Sequence, residues 1–151
     1  MQGHKKIVFL PLLLWGTHSV RPSCLCNERI VKMEKDELGR KGEQLAADFL
    51  RENGYNVLSM NWQCGHLEVD VIAENDEFIV FCEVKTRSST VMGNPEEFVT
   101  AQKQKNLIRA ASRYLQMTGK KKEVRFDIIS VVANGEKYAV YHLPRAFEPQ
   151  W

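Results

Sequence analysis

The sequence is short of the features that mark secreted, fibrous and membrane-spanning proteins. Four cysteines in 151 residues, two of them at Cys24 and Cys26, are too few for a disulfide framework. The longest apolar run, residues 7–15, is well below the roughly 20 residues of a membrane-spanning helix. No repeat or low-complexity tract occurs, and the hydrophobic fraction of 44% is ordinary for a globular protein. The length and composition therefore predict one folded domain, and they exclude a disordered chain and a polytopic membrane protein.

An excess of one charge sign is also absent overall, because the formal net charge is only +2. The charges are distributed unevenly, however. Residues 34–100 carry 14 acidic and six basic side chains, whereas residues 101–125 carry eight basic side chains and one acidic. The chain therefore combines an acidic first half with a short, strongly basic stretch, a distribution that the net charge conceals.

Residues 1–32 differ from the rest and are predicted to be a leader, which leaves 33–151 as the single domain. Two lysines precede the apolar run, as in a secretory signal peptide, but Arg21 and Pro22 lie where cleavage requires small neutral residues. Two interpretations stay open: a genuine export signal, and a reading frame begun too early, with Met33 as the true start. The poor cleavage region favours the false start, and with it a cytoplasmic protein without membrane association.

The hydrophobic periodicity of the remaining chain predicts an α/β fold, a small mixed β-sheet flanked by helices with the element order α-β-β-β-α-β-β. The first helix is expected to run from Asp36 to a stop at Asn53-Gly54, and the second from Pro95, capped by Asn94, to near Gly119. The predicted strands are residues 55–62, 67–73, 78–86, 124–132 and 138–143.

Three charged residues on two neighbouring strands carry the chemical information. If the strands form a hairpin, Asp70 lies beside Glu83 and Lys85, and the last two share one strand face because they are two residues apart. Two carboxylates and an ammonium beside an apolar sheet are costly unless a further group pairs with them. Mg²⁺ binds carboxylate oxygens, keeps several waters and is completed by phosphate, which suits phosphodiester hydrolysis. The alternative is an ordinary surface ion pair worth under about 1 kcal/mol.

Basic residues on the second helix are candidates for contact with phosphates. Lys103 and Arg113 are expected on one side of this helix, where they could line a groove for a nucleic-acid backbone. A solvated helix face explains the same charge pattern equally well, so both interpretations stay open.

A series of ordered motifs resembles the YraN family of small bacterial proteins, and the resemblance covers residues 38–148. The motifs are Leu38-Gly-Arg-Lys-Gly-Glu43, Gly54-Tyr55, Asn61-Trp62, Leu67-Glu-Val-Asp-Val-Ile-Ala73, Val80-Phe-Cys-Glu-Val-Lys-Thr-Arg87, Gly93-Asn-Pro-Glu-Glu97, Lys103 and Arg125-Phe-Asp127. Members are described as predicted endonucleases with the PD-(D/E)xK restriction-endonuclease fold, related to archaeal Holliday-junction resolvases.

The resemblance implies a restriction-endonuclease-like fold and a role for each charged position. It places the helical acid at Glu43, the central acid at Asp70 and the signature acid and lysine at Glu83 and Lys85, with Arg87 as a phosphate contact. The implied cofactor is Mg²⁺ or Mn²⁺, held by Asp70 and Glu83 with Glu43 assisting, and the implied partner is DNA, branched or otherwise structured. A nucleic-acid-binding module with this fold and little turnover is the alternative function. A dimer is compatible with the sequence.

Overall fold

The computed structural model describes residues 8–11, 27–88, 99–135 and 137–149, which form one six-stranded mixed sheet and two helices. The elements are β1 (Val8–Pro11), α1 (Asn27–Glu52), β2 (Asn56–Cys64), β3 (Leu67–Glu74), β4 (Phe78–Arg87), α2 (Ala101–Thr118), β5 (Glu123–Asn134) and β6 (Lys137–Phe147). The strands lie in the order β1-β6-β5-β4-β3-β2, and the β4–β5 pair is parallel whereas the other pairs are antiparallel. From α1 onward this confirms the predicted α/β class and element order, and it is consistent with a restriction-endonuclease-like fold.

The helices cover opposite faces of the sheet. On one face, α1 buries Leu45, Ala46, Phe49 and Leu50 against alternate residues of the strands. On the other face, α2 buries Leu107, Ala110, Ala111 and Tyr114. Strand β4 lies centrally and contributes to both layers, which is why its sequence is apolar at consecutive positions. Neither described helix is long and apolar enough to cross a membrane.

The segment predicted as a leader contains two features that the sequence did not predict. Residues 8–11 form an edge strand antiparallel to β6, with Val8 opposite Val140. Helix α1 begins at Asn27 instead of Asp36, because no glycine or proline interrupts the chain before Gly39 and nothing ends the helix at Met33. Residues 1–7 and 12–26 lie outside the described residues, so the two interpretations of the leader stay predictions.

The ends of the two helices follow local rules. Helix α1 stops at Asn53-Gly54, as predicted: Gly54 has φ 84°, and the Tyr55 amide donates to the Leu50 carbonyl at 3.0 Å.

The predicted start of the second helix at Pro95 is wrong. Residues 99–100 are not helical, and the Thr100 hydroxyl caps α2 by accepting a hydrogen bond from the Lys103 amide at 3.3 Å. The earlier part of that prediction, residues 94–98, lies outside the described residues.

Helix α1 crosses the end of β4 at a glycine. A Cβ built at Gly42 would overlap the Thr86 side chain, whereas a Cβ at Gly39 would meet nothing within 4 Å. Only a residue without a side chain therefore lets α1 approach β4 this closely. The next residue on the helix, Glu43, is held near the end of β4 as a consequence.

Replacing Gly42 with alanine should destabilise the protein by about 1–3 kcal/mol, because the new methyl group has to displace Thr86 or the helix. The matched control is Gly39→Ala, in the same helix with open space around it, which should be neutral or up to about 1 kcal/mol stabilising. Urea unfolding measures both, and adding Thr86→Ala should recover part of the loss in Gly42→Ala. Equal stability of the two alanine variants would contradict a steric limit at Gly42.

Candidate active site

The candidate site lies where β3 and β4 separate. The two strands pair from Glu74 opposite Ile79 up to Val71 opposite Cys82, and β4 then continues along β5 as far as Arg87. The next residues beyond the last β3–β4 pair are Asp70 and Glu83. A side chain continues the contact between the strands here, because Asp70 Oδ2 accepts a hydrogen bond of 2.7 Å from the Val84 amide. The hairpin expected from the sequence thus brings the two acids together at a fork in the sheet.

Glu83 is the most deeply buried acid of the site. Its side chain is 3% exposed, and the Lys85 ammonium donates to Oε1 at 2.6 Å. Oε2 lies 3.1 Å from Lys103 Nζ, but the contact lacks hydrogen-bonding geometry. Among the described residues, Oε2 of Glu83 is therefore a buried oxygen without a hydrogen-bond donor. Such an atom is costly to bury unless a cation or a donor completes its environment.

Burial and the neighbouring Glu83 carboxylate raise the pKa of Asp70 to about 7. The Val84 hydrogen bond and the Lys103 charge work in the opposite direction, and Glu43 adds a smaller increase. Helix α1, which carries Glu43, packs on one face of the sheet, and α2, which carries Lys103, packs on the other. The raised pKa of Asp70 thus follows mainly from its burial beside a second carboxylate.

The carboxylate oxygens of Asp70 and Glu83 are the kind of donor that a hard divalent cation binds. Mg²⁺ uses one or two carboxylates in many sites and keeps several waters, so Asp70 and the incompletely satisfied Glu83 suffice for a site that phosphate would complete. In the part of the chain that the structure describes, no group of three or more His, Cys, Asp or Glu side chains is arranged to hold a metal ion. Glu43 therefore lies nearby without forming a three-carboxylate cluster with Asp70 and Glu83.

The structure separates the predicted phosphate-binding residues. Lys103 lies at the acids, with its ammonium 3.1 Å from Glu83 and 3.2 Å from Glu68, whereas Arg113 is exposed and roughly 15 Å further along the helix axis. Ten residues of helix separate Arg113 from Lys103. Arg113 also lies outside the buried side of α2, so its side chain faces solvent. Arg87 lies two residues beyond Lys85 on the same strand and is partly buried.

The contact between Lys103 and the acids was not predicted from the sequence. Burial alone would lower the pKa of Lys103, but the charges and contacts of Glu83, Asp70 and Glu68 together outweigh burial and raise this pKa. The ammonium therefore stays charged beside the acids. The indication in the sequence was Glu68, two residues before Asp70 on the same strand, because a second exposed acid there gives a cation a reason to approach.

A second buried ionic group lies on the α1 face, with Asp127 at its centre. Arg125 donates to both carboxylate oxygens of Asp127 and to the Tyr55 hydroxyl, and the Arg145 amide donates to Oδ1. His142 belongs to the same group: its side chain is 12% exposed and its Nε2 lies 2.7 Å from Asp127. Burial raises the pKa of Asp127, but the hydrogen bonds from His142 and Arg125 outweigh it and lower the pKa overall.

Comparison with known proteins gives the chain a set of relatives. The model of a family described as "Uncharacterised protein family UPF0102" matches residues 42–131, a range that contains all the candidate site residues named above. A UPF0102 protein from Bacteroides thetaiotaomicron is 40% identical over 116 residues, which is 77% of this chain and 96% of the relative. UPF0102 proteins from Flavobacterium johnsoniae and Syntrophomonas wolfei are 42% and 45% identical over 76% and 74% of this chain, and over 96% and 97% of their own lengths. These names state a family and no activity.

Replacing Asp70 with asparagine should stabilise the metal-free protein at about pH 8 by about 1–3 kcal/mol. A carboxyl group with a raised pKa in the folded state takes up a proton on folding, so its contribution to stability falls as the pH rises from about 4 to about 7. Asparagine keeps an acceptor for the Val84 amide without the charge. Urea unfolding in the presence of a chelator, at several pH values, measures the effect.

The gain should shrink as the pH falls towards about 4, where the wild-type carboxyl group is protonated in the folded state and begins to be protonated in the unfolded state. The control is Asp76→Asn in the exposed β3–β4 turn, which should change stability little at any pH. An Asp70→Asn protein that is less stable than the wild type at the higher pH would contradict the electrostatic strain inferred for the acid pair.

Proposed function

This chain belongs to the UPF0102 family, also known as the YraN family, and we propose that it is a metal-dependent nuclease that hydrolyses phosphodiester bonds in DNA. The observation that carries the proposal is the carboxylate pair at the fork, with a buried oxygen of Glu83 lacking a donor and Lys85 directly beside it. The resemblance of the signature motif to that of PD-(D/E)xK endonucleases supports the same chemistry.

Each charged group has a distinct part in the proposed reaction. Asp70 and Glu83 would hold Mg²⁺ or Mn²⁺, with Glu43 adding negative charge nearby, and the bound ion would lower the pKa of a water and neutralise charge on the phosphate. Lys85 is 36% exposed and already bonded to Glu83, so its ammonium is fixed at one end of the pair and open to solvent. From there it can orient the attacking water and stabilise the charge that develops on the phosphate oxygens.

The substrate would approach along the open side of the fork. Lys103 is close enough to the acids to contact the phosphates that flank the cleaved bond, and Arg87, on the same strand face as Glu83 and Lys85, would contact the next phosphate. Arg113 would contact the backbone further away. Branched or otherwise structured DNA is the substrate class that the family resemblance favours, and DNA as a substrate implies a cytoplasmic protein, unless residues 1–32 direct export.

One observation favours a second function, a nucleic-acid-binding module with little or no turnover. Both oxygens of Glu83 already have an ammonium within 3.1 Å, and the described residues contain no three-ligand metal cluster. A site neutralised by lysines alone would bind phosphate without cleaving it. The two functions differ in whether a divalent ion is required.

Cleavage of a DNA panel by the purified full chain tests the proposal. Single-stranded, duplex and four-way-branched DNA, each with Mg²⁺, Mn²⁺ or a chelator, should show metal-dependent cutting of at least one substrate. Lys85→Ala and Asp70→Asn should each lower the rate by at least about 100-fold, because each removes a group that stabilises charge in the transition state.

The control is Glu77→Gln, an exposed acid in the turn at the other end of the hairpin, which should cleave at the wild-type rate. Unfolding temperatures confirm that each variant is folded. Cleavage that survives both Lys85→Ala and Asp70→Asn would refute the assigned site. A wild-type protein that binds branched DNA and cuts nothing with either metal would favour the binding module.

A further inference from the structure

Lys103 lies between an inner and an outer acid and binds them differently. Its ammonium donates a hydrogen bond of 3.2 Å to Oε1 of Glu68, whose side chain is 55% exposed. At 3.1 Å it also faces Oε2 of the buried Glu83, without hydrogen-bonding geometry. The ammonium thus donates its hydrogen bond to Glu68, the outer acid. With Glu83, the inner acid, it forms an ion pair without hydrogen-bonding geometry. Moving the ammonium away from Glu83 would break this ion pair and leave the hydrogen bond to Glu68 in place.

The position of Lys103 in α2 is unfavourable for a cation, apart from its contacts with the acids at the fork. It lies in the first turn, where the helix dipole disfavours a cation, and no acidic residue occupies that turn. Its own amide completes the Thr100 cap, which fixes the backbone from which the side chain extends. The side chain is 27% exposed, so it lies along the protein surface with its charged end at the fork.

Lys85 and Lys103 are therefore not equivalent partners of Glu83. Lys85 makes a short hydrogen bond of 2.6 Å to Oε1, from the same strand and two residues away. Lys103 comes from another element and occupies the side of Oε2, the oxygen that lacks a donor. A divalent cation that used this oxygen would meet the Lys103 ammonium and not that of Lys85.

We propose that Lys103 is an exchangeable counter-ion: its ammonium neutralises Oε2 of Glu83 in the metal-free protein, competes with a divalent cation for that oxygen, and moves towards Glu68 and the substrate phosphate when the cation binds. This proposal rests on the metal site of the proposed function and adds a regulation to it. Lys103 is in this scheme a positioning residue, which acts through Glu83.

The scheme couples metal binding to nucleic-acid binding. Without DNA, metal binding leaves the Lys103 ammonium with the exposed Glu68 as its remaining partner, so metal affinity is held down. A phosphate offers the displaced ammonium a new partner, and metal affinity rises. Because coupling between two ligands is reciprocal, the metal raises DNA affinity by the same factor.

Mn²⁺ binding by the full chain, measured by calorimetry or electron paramagnetic resonance without DNA, tests the proposal. The pH should be well above the pKa of Asp70, about 7, so that the acids are ionised. Lys103→Gln should bind Mn²⁺ at least about fivefold more tightly than the wild type, within the usual range of coupling between sites. Lys103→Arg keeps the charge, and it should stay within about twofold of the wild type.

The matched control is Lys105→Gln, which makes the same charge change at an exposed position of the same helix turn and should leave Mn²⁺ affinity within about twofold of the wild type. Circular dichroism confirms folding of each variant. Mn²⁺ affinity that is unchanged or lower in Lys103→Gln would overturn the proposal. So would an increase that persists when Asp70→Asn is added, because the ion would then lie elsewhere.

Mn²⁺ binding and DNA cleavage together distinguish a failure of the counter-ion proposal from a failure of the proposed nuclease function. Tighter Mn²⁺ binding in Lys103→Gln together with a wild-type protein that cuts no DNA would support the counter-ion and refute the nuclease. Metal-dependent cleavage by the wild type with unchanged Mn²⁺ affinity in Lys103→Gln would support the nuclease and overturn the counter-ion.

Discussion

The hydrogen bond from the Val84 amide to the Asp70 carboxylate connects the two strands where their backbone pairing stops. An antiparallel pair that continued regularly would satisfy this amide with a carbonyl, and the strands would stay side by side. The side chain takes that role, so β3 can diverge from β4 without leaving the amide unpaired. The divergence leaves room for Glu83, for the lysine two residues later and for the ends of both helices. The site is thus a consequence of how one amide at the fork is satisfied.

The protein contains two buried ionic groups that differ in how complete they are. Around Asp127, an arginine, a histidine and a main-chain amide supply the donors, and the group is closed to solvent. Around Glu83, one oxygen is bonded and the other has only a nearby charge. Since an incompletely paired buried charge is destabilising, a protein retains one where binding a ligand needs it. The complete group around Asp127 matches a structural role, and the incomplete group around Glu83 is the candidate for binding a ligand.

The sequence predicted much of the fold because its elements obey local rules. The strand periodicity and the Asn53-Gly54 stop were sufficient for the element order, and the alternation around Asp70 and Glu83 was sufficient to bring these two residues together. The start of α2 was missed because two capping sites, Asn94 and Thr100, precede the same amphipathic run. The contacts of Lys103 were missed because they depend on how α2 lies on the sheet. No local pattern encodes that packing.

The parallel pairing of β4 with β5 has a consequence for how the domain is assembled. The β3–β4 hairpin is local, whereas β5 can join β4 only after the crossover through α2 has been made. During synthesis from the N-terminus, both strands that carry the carboxylates leave the ribosome before the helix that carries Lys103. For that interval the nascent acid pair has no counter-ion from α2, and only Lys85 of its own strand and the cations dissolved in the surrounding medium can screen it.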